Sequence, residues 1–309
     1  MSVTVVGSIA YDAVQTPHGG RERMLGGAAV HFALAASFFD EVHVVGPVGD
    51  DFGDDEYAVL RGRNVNTDAI EHVEGGKTFF WSGVYGENMN TRETLVTDLN
   101  VFETFDPKLS EASKQCEVLF LANILPELQL NVRRQCEAAR FVALDSMDLW
   151  INIAKDALVA AISEVDCVIL NDGEVAQFTG EREVVAGARA IMEHGPSSMV
   201  VKLGKYGAAL VTPDESFWIP AFPVDFVADP TGAGDSFAGG FVGAIAAHEG
   251  EVTADVLRLA MAYGTAVASF NVEEFGTERV ARLTGEEIVE RVQELQRITT
   301  FETTTVALR

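Results

Sequence analysis

The stretch ADPTGAGDSFAGGFVGAIAA, from Ala228 to Ala247, sets two glycines and a carboxylate ahead of a small, apolar run. Beyond Ala233, the residues Phe237, Phe241, Val242 and Ile245 recur at helical spacing, which predicts that Thr231–Asp235 forms a helix N-terminus. Gly232 and Gly234 permit a tight turn, and the amides of Gly232, Ala233, Gly234 and Asp235 are expected to lack intrahelical partners. Free amides at the positive end of a helix dipole attract an anion. A carboxylate beside a bound anion is unfavourable unless it has a chemical task. Asp235 could take a hydroxyl proton while the amides stabilise a transferring phosphoryl group. The alternative is an aspartate that only caps a helix entered through a glycine turn.

Such a site needs a scaffold, and the chain reads as alternating strands and helices. Ser2–Val6, Val42–Val45, Val118–Ala122, Phe141–Leu144, Cys167–Leu170, Ser198–Leu203 and Ala208–Val211 are short, apolar and strand-like. Helical periods lie between them: at Gly27–Phe39, after Pro126 and through Trp150–Ile162. This grammar predicts an α/β fold, a central, mostly parallel sheet covered on both faces, with its active site beyond the carboxyl ends of the strands. Glu74–Thr97 breaks the rhythm with aromatics, threonines and turn residues, and reads as antiparallel strands. Joined by residues around 13–24, the segment 74–102 could form a small lid; a surface hairpin packed on its own aromatics is the other reading.

The 309 residues, 48% hydrophobic and 22% charged, suffice for one large globular domain. No run approaches the roughly 20 apolar residues that span a bilayer, and the opening MSVTVVGSIAYD has no basic n-region, so a cytoplasmic protein is expected. Cys116, Cys136 and Cys167 lack metal-ligand spacing and sit among apolar neighbours, as buried thiols in a reducing compartment would. With 22 Lys and Arg against 47 Asp and Glu, the net charge of −25 argues against nucleic acid or an anionic membrane as partner. An anionic substrate must then be held by local donors.

The segment DPTGAGDSFAGGF resembles the C-terminal signature of the ribokinase-like (PfkB) family of carbohydrate and nucleoside kinases. GSIAYD (7–12), LGGAAVHFALA (25–35) and VGDDFG (48–53) are similar to the family's first segments in order and spacing. DSMDLW (145–150), NDGE (171–174) and VKLGKYGA (201–208) resemble its donor-side segments, so the resemblance covers almost the whole chain. It implies a three-layer αβα sandwich with a small β lid, and ATP with Mg²⁺ as cosubstrate and cofactor. Asp235 matches the family's base, and Gly232, Ala233 and Gly234 its anion hole. Asn171 and Glu174 match the pair that orders hydrated Mg²⁺ and the ATP phosphates; Lys202, Gly204, Gly207 and Thr231 fall with them on the nucleotide side. Asp229 and the Thr231 carbonyl match a monovalent-cation (K⁺) site of some members, or a carboxylate that fixes the turn before Pro230.

On the acceptor side the resemblance implies Asp12, Gly26, Gly27, His31 and Asn123. His31 replaces the Asn of many members, Ala10 stands where ribokinases often have Asn, and Ile124 where they tend to have Glu. These changes remove polar contacts to a sugar and make ribose a doubtful acceptor. Phe79, Phe80, Trp81 and Tyr85 could stack on a nucleobase or a pyranose, pack inside the lid, or pair lids in a homodimer. The expected activity is transfer of the ATP γ-phosphoryl group to a hydroxymethyl group of a sugar or polyol. A nucleoside kinase is the alternative, and a silent ATP- or sugar-binding regulator is a third reading that an intact Asp235 opposes.

Overall fold

The computed structural model describes residues 2–301. Its ten-stranded sheet runs, from one edge, Ser216–Ile219, Ala208–Val211, Ser198–Lys202, Cys167–Asn171, Phe141–Asp145, Val118–Leu121, Ser2–Val6, Glu41–Val48 and Val65–Asn66, with Ile70–His72 also pairing to Glu41–Val48. Pairings are parallel except for the two antiparallel ones at the Ser216–Ile219 edge.

Strand alternation divides the core into two layers. Val3, Val5, Phe120 and Val200 pack beneath the helices Ala28–Ala36 and Ala233–Ala246. Their neighbours Val6, Leu119, Leu121 and Val201 pack on the other face, with residues of the helices Pro126–Gln135, Lys155–Ile162 and Val184–Met192. These layers make the three-layer αβα architecture. The helix expected through Trp150–Ile162 is two, Asp148–Ile153 and Lys155–Ile162. The apolar period carries on across the break, but Ala154 leaves the helical region at φ −137° and ψ 32°. Among the described residues no helix is long and apolar enough to cross a membrane.

A second sheet of four strands, in the order Gly19–Gly26, Ala10–Thr16, Phe79–Tyr85 and Arg92–Asp98, stands apart from the first. Phe79–Tyr85 and Arg92–Asp98 are an antiparallel hairpin, and it joins the earlier hairpin through a parallel pairing of Ala10–Thr16 with Phe79–Tyr85. Ala10 lies opposite Phe79 and Asp12 opposite Trp81.

The small residues of AGGFVGA have a packing reason. A Cβ on Gly239 would lie 2.4 Å from the Phe32 carbonyl oxygen and 2.6 Å from the Ala35 Cβ. The helix Ala233–Ala246 therefore rests almost backbone to backbone on Ala28–Ala36, and each helix begins with a turn that belongs to the candidate site. Gly239→Ala is expected to cost about 1–3 kcal/mol through overpacking. Thermal unfolding should show a Tm lower by several degrees, whereas Gly285→Ala, with open space at its Cβ position, should leave Tm unchanged or raise it.

Candidate active site

The helix Ala233–Ala246 is entered through Gly232, whose φ of 72° suits glycine. Four bonds hold the turn before it. Asp229, fully buried, accepts the Thr231 amide at 2.9 Å through Oδ1 and the Gly276 amide at 3.0 Å through Oδ2. Asn271 Nδ2 donates to the Thr231 carbonyl at 2.7 Å, and Thr231 Oγ1 donates to the Tyr85 hydroxyl at 3.2 Å. Asp229 and the Thr231 carbonyl are thus both engaged in fixing the turn. One expected amide is not free: Ala233 N–H donates to the Pro230 carbonyl at 3.2 Å, because the left-handed Gly232 tightens the turn onto itself. Among the described residues the amides of Gly232 and Gly234 have no backbone acceptor, and they form the open part of the turn.

Asp235 is half-buried in the first turn of this helix. Burial, and then the neighbouring Asp145 carboxylate, push its pKa up to about 7 against the opposing charges of Lys202 and Arg92. Lys202, at the end of Ser198–Lys202, bonds Asp145 at 3.1 and 3.3 Å, and its Nζ lies 3.3 Å from where a Cβ on Gly234 would be. Burial opposes its charge, but Asp145, Glu174 and Asp235 outweigh burial and hold the ammonium protonated. Asn171 and Glu174 cap the helix Asp172–Thr179 reciprocally: Asn171 Oδ1 accepts the Glu174 amide and Glu174 Oε2 the Asn171 amide, each at 2.8 Å. Burial raises Glu174 to about 7. Gly204 and Gly207 flank the tight connection after Lys202.

Asp12 is 5% exposed and lies against Gly26, where any Cβ would fall 2.0 Å from Oδ2. Burial lifts its pKa to about 7, even though the Gly27 amide favours the ionised form. Gly27, at φ 94°, leads directly into the helix Ala28–Ala36.

Two residues expected on the acceptor side have partners within the protein. His31 lies beneath the anion turn: its ring sits against Gly232, where a Cβ would be 2.3 Å from Nδ1, and its buried Nε2 has no partner among the described residues. Its Nδ1 is 3.2 Å from Asn271 Oδ1, which also accepts from Ser236 Oγ at 3.0 Å. An amide oxygen only accepts, so Nδ1 carries the hydrogen; burial lowers the ring's pKa and keeps it neutral. Asn123 is largely engaged: Oδ1 accepts from Trp150 Nε1 at 2.9 Å, and Nδ2 donates to Met147 Sδ at 3.0 Å. Ala10 and Ile124 are buried, as their apolar character demands.

Asp145 and Asn271 escaped the residue-level reading. The position of Asp145 at the carboxyl end of a strand is the signal that could have found it. Asn271 is the last residue of the helix Ala254–Asn271, and nothing in its neighbours marks it.

Asp145, Glu174 and Asp235 converge with the Lys202 ammonium and the open amides beyond the strand ends. Among the described residues no three metal-binding side chains cluster tightly enough to hold an ion on their own. The donor set fits a hydrated Mg²⁺ that takes most of its ligands from water and phosphate oxygens.

The fold and site are those of an ATP-dependent kinase acting on an alcohol group of a sugar or nucleoside. The pfkB family carbohydrate kinase model matches residues 2–282, and the chain belongs to this family. It is 28% identical over 250 residues to a cytidine kinase of Thermococcus kodakarensis, covering 78% of this chain and 87% of that one. It is 26% identical over 302 residues to a deoxyribokinase of Salmonella typhimurium, covering 90% and 94%. The solved nucleoside kinase of Methanocaldococcus jannaschii superposes with a TM-score of 0.76 at 22% identity over 95% of this chain and 98% of that one.

The raised carboxylates make stability depend on pH. A carboxyl moved from 3.8 to about 7 on folding holds its proton more tightly in the native state, so its contribution is complete below pH 4 and is lost as pH rises through 7. Wild-type Tm should fall between about pH 4 and 7.5 (roughly the window set by these shifts), and Asp12→Asn should flatten the fall and raise Tm at alkaline pH. An Asp12→Asn profile parallel to wild type would show that Asp12 is already ionised in the acidic part of that range.

Proposed function

We propose that the chain phosphorylates the hydroxymethyl group of a nucleoside, with ATP as donor. One observation carries the reading: the buried Asp12 carboxylate shares a rung of the small sheet with Trp81, and Phe79 lies two residues away on the same face. A carboxylate can accept two vicinal ribose hydroxyls, and aromatic faces beside it suit a planar base. The absence of polar side chains at Ala10 and Ile124 leaves few donors for the remaining hydroxyls of a free sugar. The likeness to the cytidine kinase supports the same direction. The second reading, a free pentose or deoxypentose, is favoured by the likeness to the deoxyribokinase.

In the proposed reaction Asp235 accepts the hydroxyl proton as the acceptor oxygen bonds to the γ-phosphorus. The bond from that phosphorus to the bridging oxygen breaks, and ADP leaves. The open amides of Gly232 and Gly234 stabilise the equatorial oxygens, with Lys202 beneath them. Asn171 and Glu174, through water, would hold the divalent ion that neutralises the phosphate charge. Asp235 must be ionised to act, so kcat/KM should rise with pH through about 7 and then level off.

Thermal-shift and turnover measurements across nucleosides, free sugars and polyols test the acceptor class, because a true acceptor stabilises the protein by mass action. Asp235→Asn should reduce turnover by roughly 10²–10⁴ with ATP affinity kept within a few-fold. Asp12→Ala should raise the acceptor KM and leave that of ATP nearly unchanged. Turnover confined to free sugars would overturn the nucleoside reading, and near-normal activity of Asp235→Asn would overturn the base.

A further inference from the structure

Arg92 opens the strand Arg92–Asp98 and lies opposite Tyr85 in the antiparallel register. Residues paired across a rung share a face of the sheet. Tyr85 is 8% exposed and accepts the Thr231 bond, so this end of the small sheet is docked on the turn that carries Gly232 and Gly234. The guanidinium carbon of Arg92 is 5.2 Å from the centre of the Trp81 ring, and Trp81 is paired with Asp12 on the neighbouring strand. Arg92 therefore overhangs the space between the base and the acceptor carboxylate. Its charge is felt at both, favouring the ionised forms of Asp12 and Asp235.

The hairpin turn beside it also reaches the donor side. Asn88 Oδ1 accepts from the amides of Asn90 and Thr91 and from Thr91 Oγ1, each at 2.9 Å, which fixes the shape of the turn. Asn90 Oδ1 then lies 2.6 Å from where a Cβ on Gly204 would be. The hairpin turn that leads into Arg92 thus meets the loop after Lys202.

The charge balance calls for such a residue. Asp12, Asp145, Glu174, Asp229 and Asp235 ring the site of a chain whose net charge is −25. Lys202 is committed to Asp145, whereas Arg92 is exposed and rests on an aromatic ring. A polyphosphate entering this field needs a cation that is not already neutralised.

We infer that Arg92 is a catalytic residue supplied by the small sheet, whose guanidinium bonds the transferring phosphoryl group while the sheet is docked on the anion turn. This inference rests on the kinase reading above. Arg92 keeps its proton throughout: the acceptor oxygen–phosphorus bond forms, the phosphorus–bridging oxygen bond breaks, the hydroxyl proton passes to Asp235, and the guanidinium stabilises the negative charge spread over the phosphoryl oxygens.

The test compares wild type with Arg92→Gln and Arg92→Lys on whichever acceptor wild type phosphorylates, with calorimetric binding of MgATP and of MgADP plus fluoroaluminate. Arg92→Gln should lower kcat by roughly 10²–10³. MgATP affinity should stay within about threefold and Tm should be unchanged, since the side chain is exposed. The fluoroaluminate complex, which mimics the transferring group, should weaken by the factor lost from kcat. Arg92→Lys should recover part of both losses, and guanidinium ion should partly restore the turnover of Arg92→Gly. A kcat for Arg92→Gln within about threefold of wild type, or equal fluoroaluminate affinity in the two proteins, would overturn the assignment. Failure of wild type to phosphorylate any acceptor would count against the function proposed above, and the fluoroaluminate comparison would still decide the role of Arg92.

Discussion

The close seating of the helix Ala233–Ala246 on Ala28–Ala36 is the contact on which the rest depends. It is made where a glycine meets a carbonyl oxygen, with no side chain between the two backbones at Gly239. Each helix starts with a glycine at positive φ, Gly232 and Gly27, so drawing the helices together also draws their entry turns together. The anion turn thereby lies over His31, and the backbone that cradles Asp12 sits within reach of Asp235. A bulkier helix face would separate the proposed base, Asp235, from Asp12, and a misplacement of about 1 Å between reacting groups is enough to cost a large factor in rate.

Placing so many acids in a partly dehydrated cleft has an electrostatic consequence. Asp12, Glu174 and Asp235 are each raised to about 7, and burial is the leading cause for all three. Carboxylates of ordinary acidity would be weak bases toward an alcohol, whereas these are poised near neutrality, where a general base works best. Lys202 keeps the cluster from becoming wholly neutral. Its bond to Asp145 places a fixed positive charge under Gly234.

Much of this was legible in the sequence, and for physical reasons. Ser2–Val6 and Ala208–Val211 read as strands to the residue because short apolar, β-branched runs admit little else, and the helix start near Ala233 was set by apolar spacing and glycine chemistry. The parallel joint between the two hairpins of the small sheet was not legible, because pairing over more than 60 residues leaves no local trace. Nor was the fate of the Ala233 amide, which depends on how tightly one turn closes, or the engagement of His31 by Asn271, 240 residues away. Local pattern announces elements and their ends. Hydrogen-bond partners brought from distant parts of the chain must be seen in three dimensions.

The rungs of the small sheet also show where its chain enters and leaves. Ala10 pairs with Gly26 and with Phe79, and Phe80 pairs with Asp98, so all four strands are rooted at one end. The opposite end, bearing Thr16, Gly19, Tyr85 and Arg92, consists of two hairpin turns. Mechanically this is a beam held at both ends, because the tip is pinned where Thr16 Oγ1 donates to the Ala228 carbonyl at 3.1 Å and where the Tyr85 hydroxyl accepts from Thr231 Oγ1. Lifting the tip therefore requires both bonds to break, which ties the seating of the small sheet to the order of the turn that carries Gly232 and Gly234.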